Sequence, residues 1–369
     1  MSRGGLIRAV VLLISLLVSG ALLELGAWAL VEMGAIKAPA PTHGGAGFWD
    51  SDHEVFGVWH RPRVSFRHVG PCFDATYETN SVGARDVERR AWSAGRRVIV
   101  LGDSVVEGWG LPAAKRLTNL LEAKTGVEHL NLGMSHFGPW QEYLAYREIG
   151  KGFSHTAVLV LILPANDFFD LDPELAAQAP WYQYRHRPYL VGTYPDYRSR
   201  YFKESLPART LRRYSYAYNA IGRAWAGNGD HLWERLALAD PVLIHSFFYD
   251  FTEGQFDRLR YALQKIVAEA EGRRVAVGLV PTYRDLVRYL ESGESPLSRR
   301  LADLAEKSSF LSVDLLALMH DARPDWERYY FECDQHWNAL GNEVAARYLR
   351  EALSSYFYDR GAPPETGTR

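Results

Sequence analysis

Between Arg96 and Leu111 the chain reads Arg-Arg-Val-Ile-Val-Leu-Gly-Asp-Ser-Val-Val-Glu-Gly-Trp-Gly-Leu, and this stretch constrains the fold most. Val98 to Leu101 is a continuous apolar run, the mark of a strand covered on both faces. Gly102 breaks it, Asp103 and Ser104 follow, and a helical pattern through Leu117, Leu120 and Leu121 then closes at Gly126. A strand, a tight turn carrying a serine, and a helix lift a hydroxyl to the carboxyl edge of a sheet, near the positive end of a helix. Such a hydroxyl is set to attack a carbonyl. The plainer alternative is that Asp103 or Ser104 only caps the helix.

From Arg97 onward strand and helix patterns alternate. Strands are predicted at Val98–Leu101, His129–Leu132, Thr156–Leu163, Arg274–Val280 and Phe310–Val313. Helices are predicted at Leu117–Lys124, Trp140–Ile149, Phe256–Ala270 and Leu297–Lys307. In the third, Phe256, Leu259, Leu263, Ile266, Val267 and Ala270 form one stripe ended by Gly272. This alternation argues for an α/β fold with a mostly parallel sheet, helices on both faces and ligands at the carboxyl ends of the strands.

The flanks carry other information. Ala9 to Val31 is apolar apart from Glu24 and is preceded by Arg3 and Arg8, which predicts a membrane helix with a cytoplasmic N-terminus (residues 1–33). A carboxylate at mid-membrane would cost about 2.5–3.5 kcal/mol; if the span starts near Leu6, Glu24 lies towards the outer end, where water is close. The alternative is a cleaved signal peptide, because Ala27-Trp28-Ala29 has the small-x-small form. Either way the remainder faces an extracytoplasmic, periplasmic compartment. Residues 34–47 read as a Pro, Ala and Gly linker and 48–369 as the folded domain. Phe48 to Arg90 shows short alternating pieces that suit antiparallel strands.

An insertion at about 170–253 is dense in aromatic residues, among them Trp181, Tyr182, Tyr184, Tyr189, Tyr194, Tyr197, Tyr201, Phe202, Tyr214, Tyr216 and Tyr218, with Arg185, His186 and Arg187 interleaved. It reads either as a cap packed through its rings or as a platform for sugars. The net charge of -2 speaks against a nucleic-acid partner, and the 2 cysteines, Cys72 and Cys333, exclude a cysteine-rich zinc site while leaving a mutual disulfide open.

Three later stretches share the edge of Ser104. Asn131-Leu-Gly-Met-Ser-His-Phe-Gly138 follows the second strand and Pro164-Ala-Asn-Asp167 the third. Asp334-Gln-His-Trp-Asn-Ala-Leu-Gly341 opens a last helix with Leu340, Val344, Tyr348, Leu349 and Leu353 on one stripe. A serine needs a base, for which His336 is the candidate. The imidazole needs an orienting acceptor, and Asp334 stands two residues away, on the same side if the loop is extended. The Asn166 amide and a backbone N–H of the 133–136 loop are candidate oxyanion donors. Asn166 or Asp167 could instead cap a helix, and Asn338 is expected to cap the last one. Asp334 with His336 lacks the further ligands of a metal site, so no metal or cofactor is expected.

In their order and placement, Gly-Asp-Ser, the turn after strand two, Asn-Asp after strand three and a C-terminal Asp-x-His resemble the SGNH (GDSL-type) hydrolases over about Arg96 to Phe357. The resemblance implies a three-layer α/β/α sandwich with a short, mostly parallel, flavodoxin-like sheet. It implies Ser104 as nucleophile, His336 as base, Asp334 as its orienting acid and Asn166 as side-chain oxyanion donor beside the backbone N–H of Ser104. The family's second-block glycine falls at His136, with Gly133 nearby, and Pro164 replaces the usual glycine of the third block. The Asp-x-His-Trp form is similar to proteins of exopolysaccharide O-acetylation. The expected activity is hydrolysis of an O-acyl ester on a small molecule, glycan or lipid through an acyl-enzyme. Acyl transfer to a sugar hydroxyl and a catalytically degenerate glycan binder are the alternatives.

Overall fold

The computed structural model describes residues 3–36, 48–178, 187–202, 205–225, 246–322 and 325–359. Most of the expected linker, the tail, and Trp181, Tyr182, Tyr184, Arg185 and His186 lie outside the described residues. The chain divides into two units, one holding residues 1–46, 176–185 and 203–240, the other holding the rest.

The first unit contains α1 (Arg3–Glu32). Among the described residues it is the one helix long and apolar enough to cross a membrane, a description that a leader sequence also meets.

The second unit begins with two antiparallel hairpins, β1 (Trp49–His53) with β2 (Gly57–His60) and β3 (Ser65–Gly70) with β4 (Phe73–Glu78). Its centre is β5 (Arg97–Gly102), followed by the one-turn α2 (Ser104–Glu107), α3 (Leu117–Thr125), β6 (Glu128–Asn131), α4 (Pro139–Glu148), β7 (Ala157–Ile162), α5 (Pro164–Leu171) and the start of α6 (Pro173–Gln178), whose residues from Ala176 belong to the first unit. The insertion contributes the antiparallel pair β8 (Arg187–Val191) and β9 (Arg198–Phe202) to this unit. Its helices α7 (Leu206–Tyr214) and α8 (Tyr216–Trp225) belong to the first unit. The sheet unit then continues with α9 (Glu253–Glu269), β10 (Arg274–Leu279), α10 (Tyr283–Ser292), α11 (Pro296–Ser308), β11 (Leu311–Asp314), α12 (Leu315–His320) and α13 (Ala339–Ala352).

All five central strands are parallel, in the order β11-β10-β7-β5-β6. Their ranges match the sequence expectation to within two residues; β5 and β7 are apolar runs, whereas β6 (Glu-His-Leu-Asn) and β11 (Leu-Ser-Val-Asp) carry polar residues. Every residue of β5 and β7 is buried. Helices α3, α12 and α13 pack together, as do α4 and α9. The order is flavodoxin-like, so the chain leaves β5 and β7 in opposite directions and opens a crevice at their carboxyl ends. Ser104 follows β5 and Asn166 follows β7, one on each side of that crevice.

The hairpin β8–β9 is held on α4, with Gln141 Nε2 donating to the Pro188 carbonyl (2.8 Å) and Trp140 Nε1 to Ser199 Oγ (3.0 Å). Tyr189 and Tyr197 are buried, and Arg260 lies 3.5 Å from the ring centre of Tyr194. These rings are used in packing.

Candidate active site

Asp103 caps α2, its Oδ1 accepting the Val105 N–H at 2.9 Å, and this sets Ser104 at the first helical position. Ser104 is buried, and its Oγ lies 2.9 Å from His336 Nε2. On the other side of the imidazole, Asp334 Oδ1 lies 3.3 Å from Nδ1, at an angle short of a good hydrogen bond, and accepts the His336 backbone N–H at 3.2 Å. Ser104 and His336, 232 residues apart in the chain, thus come into contact, with Asp334 beside the imidazole.

The loop that presents the last two is not extended, as the two-residue spacing had suggested. Gln335 takes a left-handed backbone (φ 65°), its N–H bonds the Phe331 carbonyl, and the Phe331 N–H bonds the His336 carbonyl. This tight turn brings both side chains to one side by reversing the chain. Asn338 caps α13 as expected, accepting from the Leu340 and Gly341 amides.

Neighbours that the motif reading passed over hold the pair. Trp109 Nε1 donates to Asp334 Oδ2 at 2.7 Å, and its indole stacks on His336 with ring centres 5.3 Å apart. Burial works against the Asp334 carboxylate, but His336 and Trp109 hold it below the usual carboxylate range. Cys333, next to Asp334, is disulfide-bonded to Cys72 in the β3–β4 turn, which resolves the pairing left open above and ties the acid–base loop to the N-terminal hairpin. For Trp109→Phe, which keeps a ring on His336 and deletes the donor, kcat is expected to fall roughly 10- to 100-fold with KM little changed, because bonds to charged groups carry about 1.5–3 kcal/mol. Steady-state kinetics on an activated ester check this.

Beneath α2 sits a buried ionic network. Glu107 accepts from His60 Nε2 (3.0 Å), from the Ser135 N–H (2.7 Å) and from the Ser135 hydroxyl. Burial alone would raise the Glu107 pKa, but His60, Arg85 and the Ser135 bond lower it to about 2. Arg85 lies over the Tyr77 ring and donates to the carbonyls of Glu107 (2.7 Å), Gly108 (2.6 Å) and Leu111. Gly133 packs so closely on α2 that a Cβ would come 2.4 Å from the Glu107 nitrogen, so only glycine fits there.

The expected oxyanion residues are placed as follows. Asn166 donates through Nδ2 to Asp103 Oδ2 at 2.9 Å, and its buried Oδ1 has no partner among the described residues. It does not cap α5. Nor does Asp167, since the N-cap is Leu163 without a side-chain cap; Asp167, inside the helix, reaches back to accept the Leu163 N–H at 2.7 Å. The Gly133 N–H is engaged by Asn131 Oδ1 at 2.9 Å. His136 has a left-handed backbone (φ 69°), and its carbonyl accepts from Arg187, which also pairs with Asp170. The conformation explains why a glycine is the ordinary occupant of such a position, since a side chain there costs about 1–2 kcal/mol. Burial, with the charges of Arg187 and His336, lowers the His136 pKa to about 4, so its ring is neutral at pH 7.

Behind the crevice, Glu142 and Asp167 are buried, and burial together with neighbouring carboxyls raises both well above their ordinary values. Among the described residues no group of three His, Cys, Asp or Glu side chains could hold a metal ion.

No family model matches the sequence, and no curated protein matches it. Solved structures do. A lipase/acylhydrolase from Enterococcus faecalis is 13% identical with a TM-score of 0.38, the match covering 72% of this chain and 100% of that one. A member of the lipolytic protein G-D-S-L family from Veillonella parvula DSM 2008 is 11% identical with a TM-score of 0.39, covering 70% and 98%. A GDSL-like lipase from Bacteroides thetaiotaomicron VPI-5482 is 11% identical with a TM-score of 0.35, covering 70% and 88%. Identities this low carry no activity across.

Proposed function

We propose that the chain is a membrane-anchored serine esterase of the SGNH (GDSL) type, acting outside the cytoplasm on O-acyl esters of a glycan or lipid. The observation that carries this reading is the 2.9 Å approach of Ser104 Oγ to His336 Nε2, with Asp334 behind the imidazole. His336 takes the Ser104 proton as Oγ attacks the ester carbonyl, and Asp334 stabilises the imidazolium. The tetrahedral oxyanion is held by Asn166 Nδ2, released from Asp103, and by the backbone N–H groups of Ser104 and His136. Gly133 is set aside as a donor because its N–H already serves Asn131. His336 then protonates the leaving alkoxide, and water attacks the acyl-enzyme by the same route in reverse.

The test is intact-mass analysis after treatment with a fluorophosphonate. One adduct is expected on the native chain, mapping to Ser104, and none on Ser104→Ala. Absence of an adduct on the native, folded chain removes the acyl-enzyme reading.

A further inference from the structure

The first unit contains a latch that the ester chemistry does not use. From Leu6 to Leu23 every side chain of α1 is exposed, and Arg8 is the one charge. At Glu24 this changes. Glu24, Ala27 and Val31 form one packed side, at spacings of three and four, and α8 lies against α1. The Glu24 carboxylate caps the start of α8, accepting from Ser215 Oγ (2.7 Å) and from the backbone amides of Tyr216 and Ala217 (3.2 Å for the latter). Tyr216 Oη donates to Glu32 at 2.9 Å.

The depths agree with this. A hydrocarbon core of about 30 Å takes about 20 helical residues, so a span beginning at Leu6 ends near Leu25, with Glu24 at its outer boundary. The helices latched there expose apolar side chains. Leu206 is 66% exposed, Leu211 48%, Tyr214 58% and Ile221 51%. At about 100° per residue, Leu206, Tyr214 and Leu211 span an arc of about 140° on α7, with Arg212 on the far side and Arg213 bordering Leu206. An apolar arc edged by arginines, attached where a membrane helix reaches the headgroups, is the pattern of a helix lying in the interface.

We propose that α7 and α8 lie in the outer headgroup layer of a phospholipid bilayer, their apolar side chains in the lipid, latched to α1 by Glu24. This rests on the membrane-anchor part of the reading above. It makes α1 a retained element of the fold, because cleavage after Ala29 would remove the α8 cap.

The native cysteines are paired, so a single introduced cysteine can be labelled in the full chain with an NBD fluorophore and the protein reconstituted in phosphatidylcholine–phosphatidylglycerol vesicles. At Leu211→Cys and Ile221→Cys we expect blue-shifted emission, quenching by phosphatidylcholine doxyl-labelled near the headgroup, and shielding from iodide. At Leu12→Cys we expect quenching by lipid labelled deeper in the chain. Iodide access at 211 and 221 with lipid quenching at 12 overturns the proposal while leaving the anchor. Iodide access at 12 removes the anchor and the proposal together, and fluorophosphonate labelling of Ser104 in the same vesicles reads the ester chemistry separately. Glu24→Ala is expected to abolish lipid quenching at 211 and 221 but not at 12. Ser215→Ala, which deletes the Oγ bond to Glu24 and with it the cap that Oγ gives the Tyr218 N–H, should reduce it. Quenching unchanged in both variants overturns the latch.

Discussion

Replacing Ser104 by alanine is expected to lower kcat on p-nitrophenyl acetate by roughly 10⁴- to 10⁶-fold, the range found when a member of a serine triad is removed. The reason is local. In the proposed mechanism Oγ forms the acyl bond, and its proton has an acceptor 2.9 Å away. His336→Ala is expected to cost about as much, and the double variant little more, because the two groups act as a unit. Asp334→Asn should cost less, since Trp109 and the Gln335 turn still hold the imidazole ring in place. Unchanged turnover in Ser104→Ala would sink the nucleophile assignment, whatever the other variants do.

Much of the sheet, and the chain positions of the candidate residues, were legible because both depend on local pattern. A strand buried on both faces has to be a short apolar run, as β5 and β7 are, and strands alternating with helical stripes leave little choice of architecture. Ser104, Asn166 and His336 could be singled out because each stands just past a strand or before a helix on one edge. What was not legible depends on partners far along the chain. Glu107 reads as an ordinary helix residue until His60, 47 residues earlier, is found against it. Trp109 lay inside the first stretch considered, yet only the fold shows Asp334 accepting its N–H. The Gln335 turn escaped because a non-glycine residue gives no sign of positive φ. Glu24 looked like a defect in an apolar helix, and its role became visible only with α8 beside it. The insertion, taken from its aromatic content as one cap, is divided between the two units, since composition does not record which helix packs where.

Glu107→Ala is expected to destabilise the sheet unit by about 3–5 kcal/mol, because it leaves several buried donors unsatisfied at about 1–3 kcal/mol each. His60 and Glu107 are both fully buried, so the loss leaves an imidazole and the Ser135 donors with neither a partner nor water. The consequence reaches the chemistry, because Ser135 precedes His136, the proposed backbone oxyanion donor, and Glu107 closes the helix that begins with Ser104. kcat should therefore fall in Glu107→Gln as well, even where that variant stays folded. The pH dependence separates this carboxylate from a merely well-packed residue. Its pKa is about 2 in the folded chain against an ordinary 4.5, so between these values the unfolded chain binds the extra proton. Stability from Glu107 is then fully present above pH 4.5 and is lost as the pH falls towards 2, by about 3 kcal/mol in total. Urea unfolding of the native chain and of Glu107→Gln across the acid range should show this slope in the first and its absence in the second. Equal slopes would mean that another carboxylate governs acid stability. The helix that carries Ser104 would then owe its place in acid to Arg85, to the Asp103 cap and to Asn131 Nδ2 on the Val106 carbonyl.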